Sequence, residues 1–384
     1  MEKIYHILIV ISLLFVVLFF FMGNEKEKEV PIEDNVIVIE NEKLQESVVN
    51  DSVSILRNNI YTEIKSRFNN VDGRFIGEKN RVVSESQSYM MLIAVLSDDR
   101  KTFDKTWNWT KNNLQVRKND KLFSWLWKNG KVSDTNSATD ADQDIAYALY
   151  LANKKWGEGL YLDDARKIIS DIWKVETKEI KGVRYIGAGN WAVNDASGII
   201  INPSYFAPYQ YRVFAQIDPV HDWISLVDSS YKALNHCTSA TGLAQDWCKI
   251  DNSGKVIKNF KMDKKDNSVY SYDALRVPYR IAMDYYSSND MRALEYLKKN
   301  KIFIEDWGKN KKIFAVYNQK GEHAGKNESL ASYGTQLASM SLINKEIAQE
   351  ILDKKIKTIE FWEKVSFYDL SWIWFGLYFY EENK

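Results

Sequence analysis

Apolar residues recur at helical spacing along most of the chain after Leu56, and this periodicity limits the possible folds more than any other feature of the sequence. Ile145, Leu149 and Ala152, for example, fall on one face of a helix. Similar stretches cover residues 165–175, 223–234, 280–286, 333–342 and 371–380. Loops rich in Gly, Asn and Asp separate these stretches, and no shift in composition divides them. The sequence therefore predicts one mainly helical, all-α domain.

The N-terminal segment differs from this body. Residues 4–22 contain no Asp, Glu, Lys or Arg, and their length is close to the ~20 residues of a helix that spans a membrane. Lys3 precedes the segment, which favours an orientation with the N-terminus inside the cell. A small-x-small cleavage site is missing before Gly23, so an uncleaved anchor is favoured over a cleaved signal peptide.

We therefore divide the chain into residues 1–23, a transmembrane anchor or signal segment, residues 24–50, a charged tether, and residues 51–384, the folded domain. This domain is expected outside the cytoplasm, anchored to the cell membrane at the cell surface, or secreted if the segment is cleaved. Cys237 and Cys248 can pair on that oxidising side. Two reduced thiols fit the sequence equally well, because loop geometry cannot be read from spacing.

The charge balance and the aromatic content restrict the partners. The chain has 52 basic and 52 acidic residues and no basic stripe, which argues against a nucleic-acid partner. Its 13 Trp, 22 Tyr and 17 Phe exceed what one core of this size needs. Flat aromatic faces suit the apolar faces of pyranose rings, so the composition favours a sugar ligand.

Three carboxylates begin helical stretches. Glu85 lies in SESQSYMM, Asp140 in NSATDADQDIAYAL, and Asp273 precedes ALRVPYRIAMDYY. Ser84-x-x-Gln87 has the form of a capping box, and an acid in the first turn complements the helix dipole by about 0.3–1 kcal/mol. Capping alone would explain any one of them. Their small polar and aromatic neighbours are unusual for a mere surface cap, and a helical bundle or toroid with one shared mouth would bring all three together.

These segments resemble family 8 of the bacterial glycoside hydrolases, which holds many cellulases and some licheninases, xylanases and chitosanases. NSATDADQDIAYALYLANKKW is similar to the signature block of that family. VVSESQSYMMLIAVLSDDRKTFDKTWNWTKNNL, TGLAQDWC and YSYDALRVPYRIAMDYY match in the family's order. The resemblance runs from about residue 60 to the C-terminus and identifies 51–384 as a catalytic domain.

The resemblance implies an (α/α)6 barrel, a toroid whose active-site groove crosses the N-terminal ends of the inner helices. It implies that Glu85 is the general acid and Asp273 the general base, and that Asp140 holds the sugar ring at the cleavage point. Tyr272 and Arg276 flank the base. The dipole of its helix lowers the pKa of Glu85, whereas desolvation under a sugar and the charge of Asp140 raise it.

One segment departs from the family pattern. The family has glycines at the positions of Ser86, Ser88 and Met90, while the acid Glu85 and the nearby Tyr89 are retained. Serine is a modest enlargement of glycine, but methionine is a large one. We therefore expect shifted packing around the acid rather than loss of the site.

Loop aromatics are the expected substrate contacts, since binding residues concentrate in loops. Trp125 lies in LFSWLWKNGK, Trp191 in AGNWAV and Tyr205 in NPSYFAPY. With Tyr272 and Arg276, these residues make up the predicted substrate-binding set. The four histidines are scattered and form no HExxH pair, so we expect neither a metal site nor another cofactor.

Together these features predict an endo-acting, inverting glycoside hydrolase that cleaves a β-1,4-glucan such as cellulose. A chitosanase, xylanase or licheninase of the same family is the alternative within this class. A non-catalytic polysaccharide-binding protein and a polysaccharide lyase on a helical toroid are alternatives from other classes. An anchored glucanase resembles the accessory endoglucanases of bacterial cellulose-making systems, which implies polysaccharide synthesis or export machinery as a partner.

Overall fold

The computed structural model describes residues 52–77, 81–157, 159–257, 260–262, 265–266 and 268–383. The predicted anchor and tether, residues 1–23 and 24–50, lie outside the described residues. Within the described part of the chain, no helix is both long and apolar enough to cross a membrane.

Two sets of helices alternate along the chain, here numbered in chain order. The inner set is α2 (Ser84–Leu96), α4 (Thr139–Trp156), α6 (Pro208–Ile217), α8 (Val277–Ser288), α11 (Leu330–Ile343) and α13 (Phe367–Glu382). The outer set is α1 (52–68), α3 (Arg100–Asn113), α5 (Gly159–Val175), α7 (Trp223–His236), α9 (Met291–Leu297), α10 (Lys301–Asn310) and α12 (Lys345–Ile351).

The inner helices close into a ring. Each packs on the next, from α2 to α4, α6, α8, α11 and α13, and α13 returns to α2. Outer helices pack behind them, α3 on α2, α5 on α4, α7 on α6, α9 on α8 and α12 on α11. The helix α1 lies against α13 through the ion pair of Arg57 with Glu381 at 2.8 Å. The prediction of an (α/α)6 barrel is confirmed.

Burial explains which helices are inside. In α11 every residue from Ala331 to Ser341 is buried, so this part of the helix has no solvent-exposed face and is enclosed on all sides. In α5 only one stripe is buried, which includes Ala165, Ile168 and Ile172. That pattern is typical of a helix with one face on a core and the other in water.

Short antiparallel strands lie in the connections that lead from an outer helix to the next inner helix. They are β1 (Arg81–Val83), β2 (Leu126–Lys128), β3 (Lys131–Asp134), β4 (Thr177–Ile180), β5 (Val183–Ile186), β6 (Gly198–Ile201), β7 (Cys248–Asp251), β8 (Val256–Ile257), β9 (Lys261–Met262) and β10 (Lys265–Asp266). The sheets have the orders β1-β2-β3, β4-β5, β6-β7-β8 and β10-β9. Helical periodicity does not predict these strands, which build up the rim of one mouth of the barrel.

Two glycines allow α11 and α13 to pack closely. Substitution of one of them tests whether the two helices are in contact. A Cβ on Gly376 would lie 2.0 Å from the Gly334 carbonyl oxygen, and a Cβ on Gly334 would lie 2.2 Å from the Trp372 oxygen. Because backbone atoms oppose each other here, Gly376→Ala should lower the free energy of unfolding by about 3 kcal/mol, the upper part of the usual range for overpacked cores.

Urea unfolding followed by circular dichroism measures this loss. Gly308→Ala is the matched control, since Gly308 lies in outer helix α10 and a Cβ there would meet nothing within 4 Å. The control should keep or raise stability, by up to about 1 kcal/mol from helix propensity. Equal stability of the two variants would contradict close packing of α11 on α13.

Candidate active site

A groove with a volume of about 620 Å³ opens at the N-terminal ends of the inner helices. Five of the eight residues predicted from the sequence line it: Glu85, Tyr205, Tyr272, Asp273 and Arg276. Asp140 is fully buried beneath it and is bonded to Arg276. The structure thus brings the three predicted acids to one mouth of the barrel.

The acids begin their helices without capping them. The N-cap positions of α2 and α4 are Val83 and Ala138, and neither cap has a side-chain hydrogen bond. The capping box expected at Ser84-x-x-Gln87 is therefore wrong. The Gln87 side chain instead accepts from the Phe75 backbone N–H at 2.8 Å, because the preceding loop folds back over the helix start. The Glu85 carboxyl accepts from the Ser84 hydroxyl at 3.1 Å and lines the groove.

Arg276 joins two of the three acids. Its Nη1 donates to Asp140 Oδ2 at 2.7 Å, and its Nη2 donates to Asp273 Oδ1 at 2.7 Å. Nη1 also lies 3.2 Å from the Tyr89 hydroxyl, and the guanidinium carbon stands 5.2 Å from the centre of the Tyr205 ring. Only 4% of the arginine is exposed. These contacts fix the relative positions of α4 and of the loop before α8.

The groove raises the proton affinity of two acids. Burial, followed by the charge of Asp140, raises the pKa of Glu85 to about 7. Burial raises the pKa of Asp140 to about 6, although the charge of Arg276 opposes this rise. Glu85 therefore keeps its proton up to about pH 7. A general acid requires such a proton.

Asp273 has a different environment. It precedes the short 3-10 turn Ala274–Arg276 that leads into α8, and its side chain is 31% exposed. The indole Nε1 of Trp247 donates to its Oδ2 at 2.9 Å, while Arg276 donates to Oδ1. Both oxygens act as acceptors, as in an ionised carboxylate.

Aromatic side chains cluster near Asp273, although Trp247 and Trp191 do not line the groove itself. Trp247 stands 6.0 Å from Trp191 and 6.0 Å from Tyr205, measured between ring centres. Trp191 is half-buried in the one-turn helix Asn190–Val193. Tyr272 is 56% exposed. Trp125 does not line the groove; its backbone carbonyl accepts from the Ser84 N–H at 3.0 Å.

Residues that the sequence analysis passed over complete the site. Trp247 donates a hydrogen bond to Asp273, and its neighbour Asp246 is buried. Both belong to TGLAQDWC, and an acid followed by Trp in that matching segment was the available signal. Cys237 and Cys248 form a disulfide with their Cα atoms 6.2 Å apart. The bond ties the end of α7 to β7, directly after these two residues.

Of the three residues at positions where the family has glycine, two bond to the backbone and one is buried. The Ser86 hydroxyl donates to the Val83 carbonyl at 2.7 Å, and that of Ser88 donates to the Glu85 carbonyl at 2.9 Å. Met90 is fully buried. Among the described residues, no group of three or more His, Cys, Asp or Glu side chains could hold a metal ion.

A closed ring of six inner helices with an acid-lined groove at one mouth defines an (α/α)6 barrel of the glycoside hydrolase type. The family model of glycosyl hydrolases family 8 matches residues 42–365. The chain belongs to that family.

Similar proteins agree with this assignment. An endoglucanase of Cellulomonas uda is 31% identical over 224 residues, which are 57% of this chain and 61% of that protein. The match thus spans less than two thirds of the relative. A β-1,3-1,4-glucanase of Paenibacillus sp. X4 has a TM-score of 0.77 at 23% identity, over 87% of this chain and 93% of that chain. The endo-β-1,4-glucanase CMCax of Acetobacter xylinum has a TM-score of 0.69 at 21% identity, over 85% and 98%. At such identities the two structures support the fold.

The raised pKa of Glu85 has a consequence for stability. Its pKa is about 7 in the folded chain against an ordinary value of 4.5, so folding favours the protonated form. The contribution of this group to stability is therefore lost as pH rises from about 4.5 to about 7. Glu85→Gln should raise the melting temperature at pH 8 and leave it nearly unchanged at pH 4.

Differential scanning calorimetry of the parent and the variant at the two pH values checks this expectation. Glu346→Gln is the control, because Glu346 also occupies a first helical turn, that of α12, but is exposed. The control should show no gain specific to pH 8. A change of equal size at both pH values for Glu85→Gln would refute the raised pKa.

Proposed function

We propose that this chain is an endo-acting β-1,4-glucanase that cleaves a cellulose-like polysaccharide with inversion at the anomeric carbon. Glu85 is the general acid and Asp273 the general base. One observation carries the proposal: a single groove contains a carboxyl that keeps its proton near neutral pH and a second carboxylate that accepts hydrogen bonds on both oxygens. Inverting hydrolysis needs that pair of states.

In the proposed reaction, Glu85 gives its proton to the glycosidic oxygen as the bond to the anomeric carbon breaks. Asp273 takes a proton from a water molecule that attacks the opposite face of the ring. Asp140 is fully buried and holds Arg276, which lines the groove, so it acts on the ring at the cleavage point through that arginine and mainly in the transition state. Tyr205, Tyr272 and Trp191 bind the polymer through their rings.

The choice of substrate is supported by the names of similar proteins. The Cellulomonas uda relative is an endoglucanase, and the CMCax structure is that of an endo-β-1,4-glucanase. The Paenibacillus neighbour is a β-1,3-1,4-glucanase, so mixed-linkage glucan belongs with cellulose in any test. A xylan and a chitosan complete the panel, because the family includes enzymes for both.

We further propose that the domain works outside the cytoplasm, held at the cell membrane by residues 4–22 and close to machinery that makes or exports a polysaccharide. The uncharged length of that segment supports the anchor. Fractionation of cells that express the full chain tests it: the chain should stay with the membranes after a high-salt wash. Its release into the medium would favour the cleaved signal peptide instead.

Removal of either proposed catalytic group should abolish most activity. Glu85→Gln removes the proton donor and Asp273→Asn the base, while both keep the side-chain size, so turnover of carboxymethylcellulose should fall by about 10²–10⁴-fold. Reducing-sugar release and loss of viscosity measure this fall, and an early drop in viscosity reports endo cleavage. Glu346→Gln, an exposed change of the same kind, should keep full activity. A folded Glu85 or Asp273 variant with more than about a tenth of parental turnover would remove that residue from its role.

The stereochemistry of the first product tests the mechanism independently. Inversion of a β-linked glucan releases the α-anomer, because water attacks from the face opposite the leaving oxygen. A retaining enzyme instead forms a covalent intermediate with carboxyls only ~5–5.5 Å apart and releases the β-anomer. Proton NMR during the first minutes of digestion, before mutarotation, should show the α-anomer first. Initial appearance of the β-anomer would overturn both inversion and the role of Asp273 as base.

A further inference from the structure

Asp246 is a buried acid whose role neither the fold nor the proposed acid and base explains. It is 6% exposed and lies in the loop between α7 and β7. One oxygen, Oδ1, accepts from two backbone N–H groups, that of Ser271 at 2.9 Å and that of Ala274 at 2.8 Å. Its other oxygen accepts from the Ser271 hydroxyl. The two amides belong to residues on either side of Asp273, so Asp246 holds the segment that carries the proposed base.

Trp247, the residue after Asp246, contacts the carboxylate of Asp273 directly. Trp247 donates its indole N–H to Asp273 Oδ2 at 2.9 Å. The dipeptide thus holds the backbone around Asp273 through Asp246 and its carboxylate through Trp247.

The dipeptide is itself fixed to the barrel. The Asp246 backbone N–H donates to the Val269 carbonyl at 2.7 Å, and Cys248 is bonded to Cys237 at the end of α7. A displacement of Asp273 would therefore require movement of a loop that is fixed by a hydrogen bond and by a disulfide.

We propose that Asp246 is a positioning residue for Asp273: by accepting from the two amides around Asp273, it holds that carboxylate where it can take the proton of the attacking water. The inference rests on the proposed function, in which Asp273 is the base. Asp246 does not line the groove, so it acts through Asp273 rather than on the sugar.

Substitution of Asp246 by Asn or by Ala separates the effect of its hydrogen bonds from the effect of its charge. Burial, and then the charge of Asp273, raises the pKa of Asp246 to about 7, so the side chain is mainly neutral at acidic pH. Asparagine has nearly the same shape as the neutral acid. Its carbonyl oxygen can accept from both amides, and its NH₂ group can donate to the Ser271 hydroxyl. Alanine can do neither.

The experiment compares Asp246→Ala, Asp246→Asn and the parent, all as full chains, on the glycan that the parent cleaves best at pH 5.5. Asp246→Ala should lower kcat by about 10- to 100-fold with little change in KM, since small misplacement of a catalytic group costs up to about 10²-fold. Asp246→Asn should recover most of that loss. Asp218→Ala is the control: like Asp246, Asp218 is a buried acid with hydrogen-bond donors, here the Trp223 indole at 3.0 Å, but it ends α6 at the opposite mouth.

Asp218→Ala should cost stability without lowering kcat. Three results would overturn the positioning role: an unchanged kcat in Asp246→Ala, a loss confined to KM, or an Asp246→Asn variant as poor as Asp246→Ala. A crystal structure of Asp246→Ala supplies a readout besides activity, because the Asp273 carboxylate should have left Trp247 and Arg276. If the parent cleaved no glycan, the proposed function would fail; the role of Asp246 would then be decided by whether the Asp273 carboxylate moves in that crystal structure.

Discussion

The site depends on one buried guanidinium. Arg276 bridges Asp140 on one inner helix and Asp273 at the start of another, with both contacts at 2.7 Å. A buried charge is costly unless it is paired and hydrogen-bonded, so the arginine and its acids require each other. Removal of one partner from such a group commonly costs about 3–5 kcal/mol, because it leaves the other uncompensated. The acids that the proposed chemistry needs are therefore part of what holds the two helices in register.

The same arrangement recurs one helical turn deeper. Asp144 follows Asp140 by four residues on α4, and Arg280 on α8 follows by four residues Arg276, the N-cap of that helix. Arg280 pairs with both oxygens of Asp144, at 2.5 and 2.6 Å, and the Gln210 amide donates to the same acid at 2.6 Å. Residues four apart lie on one face of a helix, so two parallel layers of ion pairs join α4 to α8. The lower layer supports the upper one from inside the barrel.

Sequence periodicity predicted the helical fold well because the pattern of apolar residues is a local property. The sequence also placed Glu85 and Asp140 in first helical turns, and the structure agrees, whereas Asp273 precedes a 3-10 turn and α8 begins only at Val277. It misread the start of α2 as a capping box, since the partner of Gln87 lies in a loop that folds back from Phe75. The short strands at the rim were missed because each is too short, at two to four residues, to show an alternating pattern.

The sequence by itself determined the set of helices and the acids near their N-terminal ends. It also determined the order of the family motifs, which fits one barrel. Only the tertiary structure decided which donors meet those acids. The bond from Arg276 to Asp140 joins residues 136 positions apart, and closing the ring brings them together. Trp247 and Asp246 are set against Asp273 by a loop that a disulfide pins to α7. Helical spacing is set by neighbours within a turn or two, whereas the pairing of charges across the barrel depends on how six helices close, a relation that no local pattern contains.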